Sequence, residues 1–157
     1  MWELTTAFLA LQATLFAGLC VSGGFLYYCL QYRQKRGVTS LIVMFVGIII
    51  WVGSELIQIQ LRALSYASFG MALRILGIEI TVIGILFLGL EYTGRERYIN
   101  WQLVALLSVV PLLEVALALS PARELIFRVQ ANDAVPWGYD LIVTPLFLGH
   151  TVYSYLF

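Results

Sequence analysis

Leu41 to Val52 is an unbroken run of apolar residues and glycine, and no charge appears between Val38 and Glu55. Comparable apolar stretches cover residues 5–32, 67–91, 101–120 and 138–157. A helix needs about 20 such residues to cross a hydrocarbon core ~30 Å thick. The chain has 157 residues, of which 61% are hydrophobic and 11% charged, whereas soluble domains run at about 45–50% and about 25%. So short a chain cannot hide this much apolar surface inside itself. The reading is an all-α integral membrane protein, a five-helix transmembrane bundle forming one domain, with spans at about 5–32, 38–61, 67–91, 101–120 and 138–157.

The N-terminal run is a span and not a cleaved leader, because Met1-Trp2-Glu3-Leu4 has no basic residue and the apolar run exceeds a leader's length. Arg33, Lys35 and Arg36 crowd the turn between the first two spans, and Arg95 and Arg97 follow the third. Cations beside membrane helices favour the cytoplasmic side. The expected topology is therefore N-out and C-in, with tyrosines 27, 28 and 32 forming an aromatic belt at the inner end of the first span.

Three local features add to this frame. Gly18 and Ser22, and on the third span Gly77, Thr81 and Gly84 beside Arg74 and Leu88, place small residues on one helix face, suited to close helix approach. These faces are expected to support a homodimer. Pro111 inside the fourth span frees the carbonyl of Leu107 and is expected to kink it. The outer segment 122–137 has a first part, 122–129, compatible with a short surface helix, then a turn at Asn132-Asp133 and Val135-Pro136.

Five ionisable residues fall within spans: Glu55, Arg74, Glu79, Glu114 and His150. Each costs roughly 2.5–3.5 kcal/mol at a helix centre, so such groups face a bundle interior or a cavity. By register all five lie in the outer half, which points to a polar cavity opening outward and, functionally, to a ligand pocket. Glu55, Gln58 and Arg62 share one helix face. Arg74 has two candidate partners, Glu55 and Glu79, and such a pair could equally serve only to orient helices.

Several functions lose support. Nine basic and nine acidic residues balance, which disfavours nucleic acid as a partner. The single lysine, Lys35, lies in a loop, so no span offers a retinal Schiff base. Cys20 and Cys29 lie about 13 Å apart along one helix and cannot pair with each other. No phosphate loop, metal-ligand spacing or catalytic set is present, so neither a cofactor nor enzymatic activity is expected of this chain.

Residues 88–95, Leu-Gly-Leu-Glu-Tyr-Thr-Gly-Arg, followed by a proline-containing fourth span and by His150-Thr-Val-Tyr-Ser-Tyr155, resemble the N-terminal seven-transmembrane sensor region of prokaryotic histidine kinases. The resemblance rests on Glu91, Tyr92, Thr93, Gly94 and Arg95 after the third span, on the Tyr-Ser-Tyr segment, and on Glu55 in the second. It covers the first five of seven spans and departs from the family at Leu119-Ser-Pro-Ala-Arg123, where the family carries an asparagine and a histidine. The resemblance implies the front part of a longer protein in the prokaryotic plasma membrane. The implied function is the sensory input of a two-component system: an external or lipid-dissolved small ligand binds in the outer cavity, and helix repacking reaches the cytoplasm. The alternatives are a small transporter or half-transporter using the same cavity, and a structural membrane subunit.

Overall fold

The computed structural model describes residues 2–61, 64–132, 135 and 139–156, with the backbone alone for 2–5, 61, 64, 65, 131, 150 and 153–156. It is mostly helical. Helices α1 (Trp2–Gln31), α2 (Val38–Leu61), α3 (Leu64–Tyr92) and α4 (Trp101–Leu119) are followed by a hairpin of β1 (Phe127–Ala131) and β2 (Tyr139–Val143), then α5 (Pro145–Leu156). Among the described residues, α1 to α4 are long and apolar enough to cross a membrane. Large side chains such as Phe16, Val21, Ile85, Leu106 and Leu112 stand exposed around the bundle, where a bilayer would cover them.

α2 and α3 form the central pair, with α1 laid against α2 and α4 against α3. Glycine explains how closely the central pair approaches. A Cβ on Gly77 would lie 2.4 Å from the Trp51 backbone nitrogen, one on Gly47 2.4 Å from that of Thr81, and one on Gly84 2.5 Å from that of Met44. The small face of α3 is thus filled by α2 of the same chain. Gly18, Gly23 and Gly24 on α1 have open space beside them, and Phe25 stacks on Phe45 at 5.4 Å.

Two expectations about the second half are corrected. The expected span over 138–157 is not one continuous helix: residues 139–143 are a strand, and the helix starts only at Pro145. Thr144-Pro145 sets its start, since proline suits a first helical turn whose N–H groups lack partners. The surface helix read over 122–129 is a five-residue 3-10 turn, Pro121–Leu125, running into β1. The protein is therefore a helical bundle carrying a two-stranded antiparallel sheet, paired from Phe127↔Val143 to Ala131↔Tyr139.

The hairpin is anchored rather than loose. Ile126 and Phe127 are fully buried and join Met71, Ala72 and Ile75 of α3 and Ala118 of α4 in one apolar cluster. Thr144 donates its backbone N–H to Ile126 O at 3.0 Å. Ser120 caps α4, and its Oγ accepts the Ala122 N–H at 3.1 Å. Arg123 donates to Ser68 Oγ of α3 at 2.8 Å. α4 itself runs through the buried Pro111 as one helix.

Candidate functional site

Where the hairpin meets α2 and α3, a cavity of about 330 Å³ is lined by Leu11, Glu55, Gln58, Ile59, Arg74, Tyr139, Asp140 and Leu141. Glu55 and Gln58 lie one turn apart on α2, so their side chains leave the helix on the same face. Arg74 answers from α3. Of its two candidate partners it takes Glu55: Arg74 Nε is 3.0 Å from Glu55 Oε1. The contact is electrostatic, because among the described residues neither atom makes an aligned hydrogen bond although both are shielded from solvent.

Gln58 is 6% exposed. Its Oε1 accepts from the Tyr139 hydroxyl at 3.5 Å, while its Nε2 has no acceptor among the described residues. Gly70 makes room for it, since a Cβ there would lie 2.3 Å from Gln58 Cγ. Burial pushes the Tyr139 phenol above its usual 10.0, and the nearby Glu55 charge adds to the rise, so the phenol is a neutral donor. The Asp140 carboxylate accepts from the Asn132 amide at 2.6 Å.

The four span ionisables whose side chains are described are thus separated. Glu55 and Arg74 share the cavity. Glu79 and Glu114 are buried, at 2% and 5% exposed, and do not line it. Each lies 13 residues from the helix end nearest the other arginine-rich pole, a depth of roughly 20 Å. His150 has its backbone in α5, and its side chain, like all of Arg62, lies outside the described residues. Gln58, Tyr139 and Asp140 join the site beyond the five ionisable residues. The spacing that sets Gln58 on the Glu55 face is its signal in the sequence. The other two depend on a hairpin whose signal, the alternation Phe127-Arg-Val-Gln, is only a few residues long. Among the described residues, no group of three His, Cys, Asp or Glu side chains could hold a metal ion.

The opposite pole is built around Glu91. Its Oε2 accepts the Ser40 hydroxyl at 2.7 Å, and its backbone carbonyl accepts from Arg36 Nη2 at 2.7 Å. Arg36 also pairs with Glu96. Thr93 Oγ1 donates to Gly89 O at 2.8 Å. Gly37 and Gly94 adopt φ of +81° and +71°, a conformation that favours glycine. Glu91 therefore fastens the exit of α3 to the turn between α1 and α2 and to the start of α2.

The family model described as the N-terminal 7TM region of histidine kinase matches residues 14–157. The chain belongs to this histidine-kinase 7TM family. The expected family is thereby borne out, and the chain is a multi-pass membrane protein of the sensory, signal-transducing region of such kinases. No curated protein and no solved structure matches it. Within this histidine-kinase 7TM chain, the departure at residues 119–123 has a structural role, since Ser120 caps α4 and Arg123 ties the following turn to α3.

Proposed function

We propose that this 7TM region is the input module of a two-component histidine kinase, lying N-out in a prokaryotic plasma membrane, and that the cavity between α2, α3 and the hairpin is its ligand site. The observation that carries the reading is the misaligned Glu55–Arg74 pair facing a cavity beside the buried Gln58. Polar groups that face a cavity with hydrogen-bonding capacity left over are what a specific pocket offers a ligand. A ligand that binds one packing arrangement of α2 and α3 better than another shifts the population between them. The closely packed glycine contacts of this pair make it suited to discrete rather than gradual movement. Pairing with a second copy through the open glycine face of α1 belongs to the same proposal, since the glycine face of α3 is already filled by α2.

Phosphate-affinity gels of membranes from the native host test it. Across growth conditions, the kinase carrying this region should change its phosphorylation, whereas Glu55→Gln and Arg74→Met should hold it fixed at equal membrane levels. A response unchanged in both variants overturns the site.

A further inference from the structure

Resting on the reading of that cavity as a ligand site, we propose that it takes a small amino-acid-like zwitterion, whose carboxylate meets Arg74 and Gln58 and whose ammonium group meets Glu55.

The charges argue for both signs in one molecule. Glu55 and Arg74 touch at 3.0 Å without hydrogen-bond alignment, so the carboxylate keeps acceptor capacity and the guanidinium keeps donors. A lone anion would gain from Arg74 but meet the charges of Glu55 and Asp140. A lone cation would gain from Glu55 but meet Arg74. A zwitterion laid against the pair with its charges reversed satisfies both groups, and a carboxylate matches the guanidinium fork.

Gln58 fixes the polarity of the fit. Its oxygen is engaged by Tyr139, and its solvent-shielded Nε2 has no acceptor among the described residues. A buried donor without an acceptor is costly, and one carboxylate oxygen of the ligand supplies what is missing.

Size and lining complete the class. A cavity of about 330 Å³ lies at the small end of ligand pockets. Leu11, Ile59 and Leu141 give it an apolar wall, which suits a short aliphatic side chain.

The test is calorimetric titration of the full chain in lipid nanodiscs with L-alanine, L-valine, propionate and ethylammonium. The last two carry the two halves of alanine separately. L-Alanine and L-valine should bind saturably, the single-charge probes should not, and Gln58→Met should weaken L-alanine roughly tenfold or more. Gln58→Glu, which sets a negative charge against the ligand carboxylate, should weaken binding at least as much; it serves if the methionine variant does not fold. Propionate or ethylammonium binding as tightly as L-alanine overturns the zwitterion but leaves the cavity a ligand site. Unweakened binding to both folded Gln58 variants overturns the placement. If no probe binds while Glu55→Gln still fixes the kinase response, the ligand belongs to another class and this proposal falls, although the function does not.

Discussion

The Tyr139 hydroxyl reaches Gln58 Oε1 at 3.5 Å across 81 positions of sequence, joining the hairpin to the second helix. Through this contact the short sheet becomes one wall of the polar cavity, so the hairpin's position and the state of the cavity are linked.

Tyr139 makes that link dependent on alkaline pH. Burial and then Glu55 raise its pKa above 10.0, so the folded state disfavours the phenolate. The stability from this group is complete below the unfolded value and is lost as pH rises through the raised folded value. Near-ultraviolet phenolate titration should show a late-ionising tyrosine that disappears in Tyr139→Phe. The variant should also keep its hairpin protected from protease to higher pH than the parent. An unchanged titration curve in the variant would contradict the assignment.

Gly77 and Gly18 should respond differently to the same change. Alanine at 77 places a Cβ 2.4 Å from the backbone of Trp51, whereas alanine at 18 meets nothing within 4 Å. Overpacking of this kind costs typically about 1–3 kcal/mol. Unfolding in mixed micelles should therefore show a clear loss for Gly77→Ala and little change for Gly18→Ala.

Phe127 anchors the hairpin in the apolar cluster and is fully buried. Phe127→Ala should cost about 3–5 kcal/mol locally. Hydrogen exchange should show faster exchange of the β1 and β2 amides while α2 and α3 keep their protection. Equal loosening of all elements would mean that the hairpin and bundle unfold as one unit.

At the arginine-rich pole, Ser40 and Arg36 should differ in weight. Ser40 is 2% exposed and its hydroxyl serves the Glu91 carboxylate, so Ser40→Ala should cost about 1–3 kcal/mol by leaving that acceptor short. Arg36 and Glu96 have side chains 62% and 52% exposed, and solvent screens such pairs to about 0–1 kcal/mol. Thermal unfolding of Ser40→Ala and Glu96→Gln would rank them; a larger loss for Glu96→Gln would reverse this account.

Much of the architecture follows from sequence alone. The uninterrupted run from Leu41 to Val52 leaves little besides a membrane helix, because backbone groups in hydrocarbon must pair within their own segment. The family resemblance was read from the stretch Glu91 to Arg95, and the positive φ of Gly94 is a local requirement that needs no knowledge of distant residues. The choice of Glu55 over Glu79 as partner of Arg74 was not legible. Both lie within reach by sequence, and only the packing of α2 on α3 brings one of them to 3.0 Å. The glycine face of α3 was visible as a pattern, but a pattern does not name its partner, and tertiary packing gave it to α2. Residues 139–143 read as the start of a span because strand and helix both accept short apolar runs. Only the pairing with β1 and the burial of Phe127 decide for the strand. Sequence thus determined what had to be buried in lipid and where the first four helices could lie, since those depend on neighbouring residues. Tertiary structure decided which charges meet and what closes the cavity, since those contacts join residues far apart in the chain.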